Sequence, residues 1–201
     1  MKKDLKDTTF IIPIRIESED RLRNVITVLC FLVSNFDTNI IVKEVDTKSI
    51  FQEQALPQIQ EFCEDVSCIK HIFEQSDDPL FLREKILNEM LIQTTTKVVV
   101  NYDIDVLFDP QVYLEAYRRI MEDECDMVYP YGEGPWQYRV RATDEVVSEF
   151  LNEDFNFKIL QDVSWVDNAG EGWVQFLSRD VYFEGGMENE NFMGSAPDDY
   201  E

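Results

Sequence analysis

The sequence predicts an α/β fold in a single domain, with a mainly parallel central sheet flanked by helices. Three observations carry that prediction. Short β-branched runs alternate with stretches of helical period four or five times as far as Pro130, the rhythm of βαβ units. The chain has 201 residues, 44% of them hydrophobic, enough to bury one core without disulfide or metal staples. No linker-like stretch, internal repeat or low-complexity segment divides it.

Thr9 to Ile14 reads as a first buried strand, because it is a short β-branched and aromatic run. Ser18 is a fitting N-cap, with Glu19 and Asp20 in the first turn of the helix that follows. Leu22, Val25, Ile26, Leu29, Leu32, Val33 and Phe36 repeat there at helical spacing. Asn39 to Val45 is a second strand, and a helix from about Lys48 to Glu64 follows, kinked or broken at Pro57. Ser67 to Phe73 makes a third strand, and Leu80 to Thr94 a helix with Leu82, Ile86, Leu87, Met90 and Leu91 on one face. Lys97 to Asn101 is a valine-dense strand. Pro110 to Glu122 opens with proline in the first helical turn, and Asp126 to Pro130 gives a fifth strand. From Tyr131 onward the pattern is less regular and richer in Gly, Trp and Asn. We therefore expect a ligand-binding half over about 1–130 and an acceptor half over about 131–201, within one domain at 1–201.

The formal net charge is −23, from 41 acidic and 18 basic residues. A nucleic-acid partner needs clustered Lys and Arg, and none are clustered here. An anionic membrane surface is disfavoured for the same reason, while a few placed arginines and a divalent cation still allow an anionic small ligand. No apolar run is long enough to span a bilayer, and the start, Met1-Lys2-Lys3-Asp4, leads into no signal peptide. Four cysteines, Cys30, Cys63, Cys68 and Cys125, fit a reduced, cytoplasmic protein. Cys63, Cys68 and His71 approach a zinc pattern, but a fourth ligand is missing and Ile69 and Ile72 point to a strand.

Three stretches carry candidate chemistry. Asp103-Ile104-Asp105 follows the valine strand directly. Acids one residue apart at a strand's carboxyl end can turn both carboxylates into one crevice, where they suit Mg²⁺ or Mn²⁺; the bland reading is a solvated, helix-capping loop. Arg83 and Lys85 stand out in a cation-poor chain, and either on a helix entering the cleft would suit a pyrophosphate; the bland reading is an exposed face. The acids after Gly185-Gly186, through Asp198-Asp199, would suit a general base; the bland reading is a frayed tail.

The order of these motifs resembles the GT-A glycosyltransferases, and within them the galactosyltransferase-like and chondroitin-synthase-like group. Ile12-Pro13-Ile14-Arg15 is similar to that group's opening strand and Pro-x-Arg turn. Phe81-x-Arg83-x-Lys85-x-Leu87-Asn88 is similar to its Phe-x-Arg-x-Lys-x-x-Asn helix, and Asp103-Ile104-Asp105 to its Asp-x-Asp. The stretch Gly172-Trp173 through Phe192-x-Gly194 and Asp198-Asp199 resembles its Gly-Gly to Gly-Trp-Gly-x-Glu-Asp segment. Two positions depart from the pattern: Ser195 stands where the group has Trp, and Asp198 where it has Glu. The group's further metal ligand, often a His downstream, has no counterpart before Glu201, so the chain reads as a piece of a longer polypeptide or as a site completed by water.

The resemblance implies a metal-dependent transferase of polysaccharide biosynthesis, moving a sugar from a nucleoside diphosphate sugar, uridine being the expected base, onto a glycan or other acceptor hydroxyl. Pro13, Ile14, Arg15 and Asp46 would line the nucleotide pocket, with Arg83, Gly172 and Trp173 completing the donor site. Asp103 and Asp105 would hold Mn²⁺ or Mg²⁺. Asp199, beside Asp198, would be the base of an inverting single displacement. Tyr102, Trp136 and Trp173 offer faces for sugar stacking, or else pack in the core. A second reading is a non-catalytic nucleotide-sugar or glycan-binding domain of the same fold. A sugar nucleotidyltransferase is disfavoured, because no glycine-rich phosphate loop follows the first strand: no glycine occurs between Arg15 and Ile50.

Overall fold

The computed structural model describes residues 2–131, 136–168 and 174–191. Its centre is a six-stranded sheet. Four parallel strands form one side: β1 (Lys3–Ile14), β2 (Phe36–Asp46), β3 (Ile69–Gln75) and β4 (Val98–Tyr102). Two more, β5 (Met127–Val128) and β8 (Val174–Ser178), complete it in the order β3-β2-β1-β4-β8-β5. β8 runs antiparallel to both β4 and β5, so five of the six strands point the same way. A separate antiparallel pair joins β6 (Trp136–Val140) to β7 (Ser164–Asn168).

Helices cover both faces, as a largely parallel sheet requires. α1 (Glu19–Asn35), α2 (Leu56–Phe62), α4 (Pro110–Met121), α5 (Asp144–Asn152) and α6 (Phe157–Asp162) lie on one side. α3 (Arg83–Leu91) and α7 (Arg179–Glu184) lie on the other. The strands divide their side chains between the two cores by simple alternation. Phe10, Ile12, Val98, Val100 and Tyr102 enter the larger core, whereas Ile11, Ile41 and Val99 face α3. All five β4 residues are fully buried, which accounts for the unbroken valine run. Aromatic rings fill the larger core, with Phe36 and Tyr113 5.1 Å apart and Phe10 and Tyr102 5.6 Å apart edge to face.

Local signals set most element ends. Ser18 accepts the Arg21 amide at 3.2 Å and caps α1; Asp109 accepts the Gln111 amide at 2.9 Å and caps α4, with Pro110 beginning the helix. The break expected near Pro57 is present: a π-helical turn at Phe51–Ala55 gives way to α2, with Pro57 in its first turn. Four differences from the sequence reading have physical reasons. β1 starts six residues earlier than the apolar run, since Lys3 and Asp4 pair with Phe36 and Asp37 across a register shift. α3 is shorter than Leu80 to Thr94, because residues 80–82 stay outside the helix and Phe81 packs 5.4 Å beneath the Arg15 guanidinium. β5 is a two-residue edge strand. The region after Tyr131, read as irregular, supplies the β6–β7 pair, three helices and β8, which inserts between β4 and β5.

The four cysteines are free thiols. No helix among the described residues is long and apolar enough to cross a membrane. His71 serves structure, lying flat on Phe51 at 4.4 Å with its Nε2 3.2 Å from Glu44 Oε2. Glu44 itself is fully buried in β2, accepting from the Ser49 hydroxyl at 2.6 Å and the Phe51 amide at 2.9 Å. Burial pushes its carboxyl up, but hydrogen bonds from His71, Ser49 and the Phe51 amide outweigh that and hold it below the usual range. A depressed native value means the carboxylate stabilises the fold above its unfolded value, and that this is lost as pH falls through the native one. Glu44→Gln should lower stability by about 2 kcal/mol near pH 7 and flatten the loss below about pH 4.5, as read by denaturant unfolding across pH.

Candidate active site

The strand order places the site. β2 and β3 are added to one side of β1, and β4 returns to the other, so the chain reverses direction between β1 and β4. At such a switch point the connections leaving the two strands diverge and open a crevice at their carboxyl ends. Arg15 follows β1 and Asp103 follows β4, which puts both at that crevice.

Arg15 and Asp46 line an open cleft of about 240 Å³ between the ends of β1, β2 and β3, together with Thr47, Lys48, Ser76 and Asp77. Arg15 is fixed from three directions: its Nε donates to Val45 O at 2.9 Å, its Nη1 donates to Pro79 O at 3.2 Å, and its guanidinium lies on Phe81. Its buried Nη2 has no acceptor among the described residues. Asp46 accepts from the Thr47 amide at 2.6 Å and the Thr47 hydroxyl at 3.2 Å, which tightens the loop at the cleft wall. Pro13 and Ile14 are buried within β1, and their side chains do not line this cleft.

The Asp103–Asp105 loop is anchored from below. Tyr102 is fully buried, and its hydroxyl donates to Val106 O at 2.6 Å and lies 2.6 Å from the Tyr113 hydroxyl, which in turn accepts the Phe108 amide at 3.2 Å. Burial holds the Tyr102 and Tyr113 phenols well above their ordinary values, so both stay protonated. Tyr102 therefore offers no face to a sugar: it is a core residue that pins the loop, and its phenol makes the end of β4 rigid. Asp103 reaches back to α3, where Arg83 Nη2 donates to its Oδ1 at 3.1 Å. Asp105 reaches toward α1, with Oδ2 4.0 Å from Arg21 Nη1. Lys85 pairs with Glu89 at 3.8 Å on the exposed face of α3 and takes no part in the crevice, whereas Arg83 does.

Among the described residues no group of three or more His, Cys, Asp or Glu comes together to hold a metal. Asp103 and Asp105 are donors of the type that a hard cation such as Mg²⁺ or Mn²⁺ takes, one or two carboxylates with waters and phosphates completing its shell. Both side chains are part-exposed at the crevice, 34% and 49%.

A part-buried polar cluster behind the crevice escaped the sequence reading. Asn101, the one polar residue of β4, donates to the Glu188 carboxylate at 3.0 Å, the Tyr182 hydroxyl at 3.0 Å and Gln175 Oε1 at 3.2 Å. Tyr182 donates to the same Glu188 carboxylate. Asn88 of α3 grips the backbone of Glu188 on both sides, accepting its amide and donating to its carbonyl, each at 2.9 Å. The signal was there to find, in an asparagine that interrupts a fully buried valine run. This clamp holds the turn after α7 against the floor of the site. Gly172, Trp173, Asp198 and Asp199 lie outside the described residues, as does the Trp136 side chain.

The sequence matches no protein-family model and no curated protein. Solved structures do resemble the fold. A mannosyltransferase from Pyrobaculum calidifontis, in complex with GDP-Man and Mn²⁺, matches with a TM-score of 0.56 at 14% identity, over 92% of this chain and 48% of that one. TarS 1–349 from S. aureus matches with a TM-score of 0.56 at 13% identity, over 99% and 53%. Glucosyl-3-phosphoglycerate synthase from Mycobacterium tuberculosis, in complex with Mn²⁺, UDP and its product, matches at 0.51 and 13% identity, over 88% and 58%. The protein has the GT-A fold. It spans about half the length of the first of these GT-A structures, and none of them places it in the galactosyltransferase-like group.

In this GT-A chain the clamp gives a direct expectation. Asn88→Ala should cost about 1 kcal/mol by leaving the part-buried amide and carbonyl of Glu188 without this partner. It should also speed hydrogen exchange of the Glu188 amide far more than that of the β4 amides, as read by native-state exchange.

Proposed function

We infer that this domain is a metal-dependent glycosyltransferase that moves a sugar from a UDP-sugar onto an acceptor hydroxyl with inversion. The observation that carries the reading is the position of Asp103 and Asp105, at the carboxyl end of β4 and across the switch point from Arg15. GT-A structures bound to GDP-Man with Mn²⁺ and to UDP with Mn²⁺ support the donor class, and the motif order supports uridine.

The cleft between β1 and β2 takes the nucleoside, with Asp46 on its wall and Arg15 holding its floor to the loop before α3. Asp105 and Asp103 would hold Mn²⁺ or Mg²⁺, whose chemistry is to neutralise charge gathering on a departing diphosphate. Arg83 is pre-positioned by Asp103 and supplies a fixed guanidinium for phosphate oxygens. Gly172 and Trp173 complete the donor side. Asp199, with Asp198 beside it, accepts the proton of the attacking hydroxyl. As that oxygen bonds to the anomeric carbon, the bond to the diphosphate breaks and the diphosphate leaves with the electron pair. Seating the reactants on strand ends anchored by Tyr102 and Tyr113 lets little of the binding energy go into ordering the site.

Thermal shift with nucleotide sugars and Mn²⁺ tests the reading. A UDP-sugar should raise the melting temperature only when Mn²⁺ is present. Asp105→Ala should abolish that shift, whereas Asp199→Ala should keep it and lower transfer by about 10³-fold or more. Normal transfer by Asp199→Ala sinks the base assignment. A shift with GDP-sugars alone sinks uridine, and binding without turnover over a wide acceptor panel replaces the enzyme with a binding domain.

A further inference from the structure

Beyond the donor crevice, a row of aromatic rings crosses the carboxyl edge of the sheet. Phe108 lies on the same loop as Asp103 and Asp105, three residues past the second acid. Its inner side packs on Tyr113 of the core at 5.9 Å. Its ring is stacked with Tyr131 at 6.3 Å and 20° between planes, and Tyr131 meets Tyr129 edge-on at 5.7 Å. Tyr129 and Tyr131 follow β5, which points the same way as β4, so the row sits at the crevice end of the molecule. β4 and β5 are separated only by β8, about 10 Å in all, a span that a single sugar ring and its linkage can bridge.

Two features separate this row from ordinary core packing. Tyr129 is 45% exposed, and Phe108 and Tyr131, though mostly covered, are not fully buried, so the row reaches the surface at its Tyr129 end. The row is also wired to the site: the Gln175 amide reaches the Tyr129 hydroxyl at 3.5 Å, and its carbonyl accepts from Asn101, the centre of the Glu188 clamp. Rigid rings with polar tips at a cleft edge match a pyranose, whose C–H face is apolar and whose rim carries hydroxyls. The surrounding charge narrows the class. In a chain of net charge −23, the two arginines flanking the acidic loop, Arg21 and Arg83, already pair with Asp105 and Asp103, and an anionic uronate would meet a repulsive field.

We propose that Tyr129 and Tyr131, backed by Phe108, form the acceptor platform, and that it takes a neutral pyranose. This deepens the transferase reading and rests on it for the word acceptor, but the platform itself is tested by sugar binding without donor. Saturation-transfer NMR on the intact chain, with the methyl β-pyranosides of glucose, galactose and N-acetylglucosamine and with methyl β-glucuronide, reads that binding. Ring C–H protons of at least one neutral glycoside should receive saturation, and the glucuronide little. Tyr129→Ala and Tyr131→Ala should each weaken binding by about five- to tenfold, and Tyr131→Phe should restore it. The thermal shift given by UDP-sugar with Mn²⁺ should stay unchanged in all three. No saturation with any of the four glycosides, equal binding by the alanine variants, or preference for the glucuronide would overturn the proposal. Loss of the donor shift in wild type with platform binding intact would overturn the transferase reading instead, leaving a glycan-binding surface.

Discussion

The crevice of this protein depends on β4 lying beside β1 rather than beyond β3. Parallel strands must be joined by crossovers, and the crossover leaving β1 runs toward β2 while the one leaving β4 runs the other way. Backbone amides and side chains at the two strand ends are left without a covering connection, and a ligand can occupy the gap. Arg15, Asp46, Asp103 and Asp105 matter because they occur within three residues of where those strands stop. The same residues elsewhere in so acidic a chain would be solvated charges.

Keeping the strand ends still is the second requirement, and it is met by buried polar groups. On the larger core face, Tyr102 and Tyr113 share their hydroxyls beneath the acidic loop. On the opposite face, Asn101 and Asn88 hold Glu188 and with it the turn after α7. Burying the Asn88 and Asn101 side chains is costly unless their polar groups are paired. Here much of the cost is offset by hydrogen bonds that join three separate elements, β4, α3 and the turn. Arg15 plays a similar part at the other end of the crevice, tying β1 to the carbonyls of Val45 and Pro79. Hydrogen bonds thus tie the strand ends, the acidic loop and the later turn together around the place where chemistry is proposed.

Charge acts at longer range. With 41 acidic residues against 18 basic ones, the diphosphate proposed as ligand would find local support where arginines are fixed by their own partners, as Arg83 is by Asp103. An Asp–Arg pair of this sort keeps the guanidinium in place and moderates the acidic field at the mouth of the crevice. The field outside still favours neutral over anionic partners, which is why the exposed tyrosine row reads as a surface for an uncharged ring.

The alternation of β-branched runs with helical periods was enough to give the α/β class and a mainly parallel sheet, and Ser18 and Pro110 marked the starts of two helices. Each of these is a property of neighbours in the chain, and local sterics and periodicity decide it. Proximity along the chain also marked Asp103 and Asp105, because acids directly after a buried strand must emerge at its end. What the sequence left open were the facts that depend on distance. A five-residue strand such as Val174–Ser178 carries no signal strong enough to announce that it enters the sheet antiparallel between β4 and β5. Whether Tyr102 faces solvent or Tyr113 is decided by which side of β4 meets α4. The meeting of Asn88, Asn101 and Glu188, 100 residues apart in chain order at the widest, exists only once the chain has folded back on itself, because hydrogen bonds recognise nearness in space and not in sequence.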